Sequence, residues 1–199
     1  MDVPTIMPVL QWLGIAMPTM YAGITLQYSF STHDIASFGP PKVMARQWLQ
    51  FYQRGPSWVL PTVLCGTASN AALAALRHAG SGPASSFFLF RSAAAPVYAA
   101  AAAAILAIMP LTMLYFEPGI NGACKWKIET VLRDEGFNMP EKRAGRPSPL
   151  RQSGTMQSRR YAETRTLQEL LWEWERINHV RWVIGLAAAM ASGWATLCL

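Results

Sequence analysis

Between residues 93 and 116 the chain carries no charged side chain. A helix crossing the ~30 Å hydrocarbon core of a bilayer needs roughly 20 consecutive, mainly apolar residues. This run therefore reads as a membrane-spanning helix. It contains six alanines in a row, Ala99 to Ala104, whose small side chains suit close packing on a neighbouring helix. Pro110 predicts a kink near its end.

Three further apolar stretches follow the same logic. Residues 6–30 form the first expected span, with Gly14, Ala16, Ala22 and Gly23 as small contact residues and Pro18 as a kink. No basic segment precedes it and it is longer than a cleaved secretory core, so it is expected to remain a span. Residues 58–76 form the second span, with Asn70 near its middle, where a polar side chain normally faces protein. Residues 180–199 form the fourth. The fold class that follows is an all-α integral membrane four-helix bundle, one domain over residues 1–199. Between spans one and two, residues 43–53 resemble a short interfacial helix ended by Gly55-Pro56. The connection at residues 79–91 carries Gly80, Gly82 and Pro83. A long loop precedes the last helix. Residues 125–135 suit a short helix, residues 136–160 are rich in Pro, Gly, Ser and Arg and read as mobile, and a helical extension over 162–179 leads into span four.

Composition agrees with this. Hydrophobic residues make up 52% of the chain and charged residues only 14%, against about 25% in an ordinary soluble domain. The net charge of +6 could suggest nucleic acid, but 12 of the 17 Lys and Arg residues lie between Lys125 and Arg181, beside membrane segments and mixed with acidic residues. Basic flanks of spans explain them, and nucleic acid is not an expected partner. Loops one and three hold 15 basic residues and loop two holds only Arg77 and Arg91. The positive-inside rule then places loops one and three in the cytosol and both termini on the other side. Three cysteines, Cys65, Cys124 and Cys198, show no paired spacing, which argues against a disulfide framework or a metal knuckle.

The chemistry-bearing segment is residues 167–181. Leu167, Leu170, Leu171, Trp174, Ile177, Asn178 and Arg181 recur at spacings of three and four and form one helical stripe, apolar above and polar below. Packing explains the upper part. Arg181 either snorkels to the interface or faces a polar cavity. His179 follows Glu175 by four residues, close enough to pair. It is either an interfacial residue or a general acid–base group, and His33 beside Asp34 competes for that role; His78 reads as a helix-end cation. The histidines are scattered, so no metal site is expected, and haem ligation by His33 or His179 is left open. No phosphate-binding loop, dinucleotide fingerprint, nucleophile elbow or zinc-protease motif is present.

Taken in order, Ala22-Gly23, then Trp48, Tyr52, Gly55 and Pro61, then Pro118, Ile120 and Asn121, and last Trp174, Asn178 and Arg181 in a W-x-x-x-N-x-x-R pattern, the chain resembles the fungal anthrone oxygenases. These are small four-span membrane proteins of polyketide pathways. The resemblance implies oxidation of a polyketide-derived anthrone to an anthraquinone by molecular oxygen without an obvious organic cofactor. It implies a base (His179 or His33), anion stabilisation by Arg181 and Asn178, and ring contacts from Trp174, Tyr21, Trp48 and Tyr52, with Asn121 bonding substrate or tying loop three to span four. Expected partners are a polyaromatic substrate and membrane lipid, with self-association or contact with other biosynthetic enzymes open, in the endoplasmic reticulum or another endomembrane. The alternatives are a non-catalytic membrane scaffold, a lipid-binding protein or a small transporter; the inverted repeats and intramembrane charges of a transporter are missing from the sequence. A chain with these four spans stays with the membrane pellet after an alkaline wash that strips peripheral proteins. Release into the supernatant would remove the bilayer from the account.

Overall fold

The computed structural model describes residues 3–79, 88–141 and 148–199. The expected connection around Gly80, Gly82 and Pro83, and residues 142–147 of loop three, lie outside the described residues. Helix α1 spans Val3–Phe38, α2 Pro41–Ala79, α3 Phe88–Leu111, α4 Gly122–Val131, α5 Met156–Glu163 and α6 Leu167–Leu197. A π-helical segment, Thr112–Asn121, joins α3 to α4, and a short 3-10 turn, Arg133–Glu135, follows α4. No strand occurs among the described residues. Four helical stretches, Ile6–Phe38, Pro41–Ala79, Ala93–Val131 and Leu167–Leu197, are long and apolar enough to cross a membrane. The chain is an all-α membrane protein.

Several boundaries differ from the sequence reading. The short interfacial helix does not stop at Gly55-Pro56: α2 runs unbroken from Pro41 to Ala79. A proline inside a helix removes one backbone hydrogen bond, and here Ser57 Oγ donates to the Arg54 carbonyl at 2.6 Å, satisfying one carbonyl of that turn. Residues 156–160, read as loop, begin α5, because the Thr155 hydroxyl caps it by accepting from the Ser158 amide at 3.2 Å. The extension read as continuous over 162–179 is interrupted between α5 and α6. There Thr166 and Glu169 form a reciprocal capping box: Glu169 Oε2 accepts from the Thr166 amide at 2.8 Å, and Thr166 Oγ1 accepts from the Glu169 amide at 3.2 Å.

The chain divides into two compact units. The first comprises Met1–Ile24, Trp58–Ile108 and Arg181–Leu199. Its core is built from small residues. Along α3, Ala94, Tyr98, Ala101, Ile105 and Ile108 are buried at alternating steps of four and three, so the alanine run presents one flat seam. Leu73, Ala94, Tyr98 and Ala195 cluster there, and Tyr98 and Thr196 share a hydroxyl hydrogen bond at 2.9 Å. Asn70 faces protein, as its position suggested: Nδ2 donates to the carbonyls of Gly14 at 2.9 Å and Gly66 at 3.0 Å. Trp12, Leu64, Met190 and Trp194 are exposed, which suits a lipid-facing surface.

The second unit comprises Thr25–Ser57 and Met109–Val180. Its core joins Trp48, Leu49, Ile120, Cys124, Ile128, Leu170, Leu171 and Trp174. At its edge, Lys42 pairs with Asp134 and Arg46 with Glu135. The hydrogen bond from Lys42 holds the Asp134 carboxyl below the usual carboxylate range. Gly136, with φ of 75°, ends the 3-10 turn in the left-handed region that glycine enters without strain.

The tightest helix approach in the first unit gives a direct test. A Cβ on Gly185 would stand 2.7 Å from Cδ1 of Tyr21, itself only 1% exposed and so unable to swing away. Gly185→Ala is expected to destabilise the folded chain by about 1–3 kcal/mol through overpacking, read as a lower thermal midpoint in detergent. Gly193→Ala, where nothing lies within 4 Å, should leave the midpoint unchanged.

Candidate active site

The second unit holds two arrangements of functional side chains. The first is built on α1 and α6. His33 Nδ1 lies 3.1 Å from Glu175 Oε2, and His179 Nε2 lies 3.8 Å from Glu175 Oε1. The two histidines named from sequence thus meet at one carboxylate. Glu175 reaches His179 because they are one helical turn apart, and it reaches His33 across from α6 to α1. The His33 side chain is 56% exposed and that of Glu175 17%. Carboxylate bonding at Nδ1 turns Nε2 of His33 outward, the geometry of an imidazole held ready for proton transfer.

Asn178 anchors the same pair of helices. It is 1% exposed, and its Nδ2 donates to the Thr25 carbonyl and to Ser29 Oγ, both at 2.9 Å. Both protons of that amide are thereby engaged within the fold, so its N–H groups are not directed at an external anion.

The second arrangement centres on Glu117, in the π-helical segment. Glu117 is 5% exposed. Lys125 pairs with Oε1, Tyr52 donates its hydroxyl to Oε2, and Asn121 Nδ2 donates to Oε2 at 2.9 Å. Asn121 Oδ1 in turn accepts from the Trp174 indole at 2.8 Å. The Tyr52 ring stacks on Trp48 with centroids 4.7 Å apart and planes 7° apart, and Trp48 meets Trp174 edge-on at 5.7 Å. Phe51 stacks on Tyr28 at 4.6 Å and meets Trp174 edge-on at 6.1 Å.

Local sequence explains this convergence. Pro118 has no amide proton, and Gly119 leaves helical geometry (φ −88°, ψ −109°), so the chain kinks here between two helical stretches. Glu117 and Lys125, eight residues apart, then face each other. Lys125 also donates to the carbonyls of Ser148 at 3.0 Å and Arg151 at 3.1 Å, and to Ser153 Oγ at 3.1 Å. The segment it fastens lies so close that a Cβ on Gly122 would sit 2.6 Å from Gly154 Cα.

Of the residues named from sequence, the structure brings Trp48, Tyr52, Asn121 and Trp174 into one network and His33 and His179 onto one carboxylate. Tyr21 and Arg181 belong to the first unit. Sequence reasoning missed Glu117 and Lys125. The available signal was Glu117 itself, an acidic residue directly ending the charge-free run. It also saw Glu175 only as a partner of His179. An open groove lined by Met44, Lys127, Arg165 and Leu167 contains none of these side chains. Among the described residues, no three or more His, Cys, Asp or Glu side chains are grouped to hold a metal ion.

A family model described as anthrone oxygenase matches residues 48–191. That stretch contains Trp48, Tyr52, Glu117, Asn121, Lys125, Trp174, Glu175 and His179, and excludes His33. No curated protein and no solved structure matches the chain. The match covers well over half of the 199 residues, and the four apolar helices agree with the layout expected from the sequence: the chain belongs to the anthrone oxygenase family.

Proposed function

We propose that the chain oxidises a polyketide-derived anthrone to an anthraquinone with molecular oxygen, and that the histidine–carboxylate group is its proton-transfer site. Family membership supports the reaction class. The observation that carries the site is the meeting of His33 and His179 on the single carboxylate of Glu175. Anthrone oxidation needs a base before it needs anything else, since loss of a methylene proton gives a delocalised, electron-rich anion that reacts with oxygen.

In this reading His33 Nε2 removes the methylene proton while Glu175 holds the ring through Nδ1. A positioned base of this kind contributes about 10²–10⁴-fold. The anion forms a carbon–oxygen bond with dioxygen, and the imidazolium returns its proton to the distal peroxide oxygen. Loss of the second methylene proton with cleavage of the O–O bond gives the new carbonyl and one water. His179, on the other oxygen of Glu175, acts as a hydrogen-bond donor to the enolate. The part-buried rings of Tyr28 on α1 and of Phe51 and Tyr52 on α2, backed by the buried Trp48 and Trp174, offer flat surfaces for a fused-ring substrate.

Membranes holding the wild-type chain should form quinone from an anthrone above the spontaneous rate under oxygen. His33→Ala is expected to lower that enzymatic rate by about 10²-fold or more, and His179→Ala by a smaller factor. Equal, wild-type turnover in both variants removes the histidine site. No quinone above background from the wild type favours a non-catalytic membrane scaffold. Repeating the assay with a chelator shows whether a metal takes part.

Glu175→Gln gives an independent check. It keeps the side-chain volume but replaces the carboxylate that orients both rings. If the pairing matters to catalysis, kcat falls by roughly tenfold or more with KM little changed. An unchanged kcat would reduce Glu175 to a surface ion-pair partner.

A further inference from the structure

The reaction scheme above makes no use of the most heavily bonded carboxylate in the second unit. A buried ion pair is a weak source of stability, because desolvating both charges costs about as much as their attraction returns, and well-packed apolar side chains often serve as well. Glu117 is nevertheless buried against Lys125, and its second oxygen accepts from two further groups on different elements, Tyr52 of α2 and Asn121 at the end of the π-helical segment.

The consequence is orientational. Because Asn121 Nδ2 faces the carboxylate, its Oδ1 must face the Trp174 indole, which donates to it at 2.8 Å. A flipped amide would set Oδ1 against the carboxylate and Nδ2 against the indole N–H, two repulsive contacts in place of two bonds. Glu117 therefore fixes the Trp174 ring without touching it. It fixes the Tyr52 ring by direct contact, and Tyr52 lies parallel to Trp48. Three ring planes are referenced to one carboxylate. Lys125 supplies the compensating charge, lies 5.2 Å from the Tyr52 ring centroid, and shares its two remaining protons among three acceptors, Ser148, Arg151 and Ser153. Tyr52 is only half-buried, so this ordered stack reaches the outside of the unit.

We propose that Glu117 is a positioning residue for the binding of a flat, fused-ring substrate, acting directly through Tyr52 and through Asn121 on Trp174. This rests on the oxidative reading above and adds the residue that sets the half-buried Tyr52 ring and the buried Trp48 and Trp174 rings behind it. Stacking needs its planes in place before the guest arrives, and a network of satisfied hydrogen bonds supplies that order in advance.

The test separates binding from turnover. Dithranol, a tricyclic dihydroxy anthrone, is titrated into the full chain in detergent under nitrogen, with binding read as tryptophan quenching; KM and kcat are then read under oxygen. Glu117→Gln with Lys125→Met keeps a neutral side chain of the same length whose carbonyl oxygen still accepts from Tyr52 and Asn121. Its Kd and KM are expected to stay within about threefold of wild type. Glu117→Ala with Lys125→Met removes the acceptor, and Kd and KM should rise by roughly tenfold with kcat held within about threefold. Tyr52→Phe, the mildest change, should raise KM by about fivefold and add little in the Glu117→Ala background, since both act through one bond. The proposal is overturned if the alanine variant, folded as judged by the thermal midpoint of the glutamine variant, binds dithranol as wild type does. It is equally overturned if Tyr52→Phe leaves KM unchanged, or if kcat falls while KM holds. Dithranol binding without quinone formation by the wild type would sink the oxidative reading alone and leave the Kd comparison to decide the role of Glu117.

Discussion

A carboxylate and an ammonium held out of water in the second unit constrain everything near them. Neither ion is tolerated unless its remaining bonding capacity is met. Glu117 meets this with Tyr52 and Asn121 on one oxygen and Lys125 on the other, and Lys125 draws in two carbonyls and a hydroxyl from residues 148–153. Ser153 Oγ then donates to the Glu117 carbonyl at 2.9 Å, so the segment is tied to both ends of the ion pair. The need to satisfy two buried charges thus explains the order of a segment that has no helix or strand of its own. It also explains why glycines stand at positions 122 and 154, where the two backbones nearly touch.

The first unit is held by different physics. Apolar surface in a bilayer gains little from leaving lipid, so helix association depends on close van der Waals packing and a few polar contacts. Gly14, Gly66 and Gly185 each face a side chain at a distance where a Cβ would press into it. Asn70 bridges α1 and its own helix through two carbonyls. The alanine seam of α3 completes the set. The second unit, by contrast, is organised around paired charges.

Which of these features the sequence disclosed follows from the range of each interaction. The charge-free run and the three other apolar stretches announce helices because solvent preference is written residue by residue. The role of Asn70 was legible for the same reason: a polar side chain in such a stretch must find protein. The Glu117–Lys125 pair was hidden because eight residues is not a facing distance on an ordinary helix. The kink at Gly119, between them, brings them together. The continuity of α2 through Gly55-Pro56 was hidden because a local breaker signal was outweighed by what flanks it. The capping box at Thr166 and Glu169 was legible and overlooked, since the residues between α5 and α6 read as a continuing helical pattern. The ordered motif Trp48, Tyr52, Asn121 and Trp174 named four members of one network, though not the carboxylate at its centre.

A carboxylate shared by two imidazoles also has a logic of its own in the proposed reaction. Oxidation of an anthrone methylene to a carbonyl takes two protons from carbon and delivers them to oxygen, so the proton carrier must be a good base at one moment and a good acid at the next. An imidazole does both near neutral pH. A nearby carboxylate keeps the ring in one orientation through both states, because it accepts from Nδ1 whether or not Nε2 is protonated. With the second imidazole beside the other oxygen of Glu175, one carboxylate serves as the common reference for two rings, the proposed base and the proposed hydrogen-bond donor.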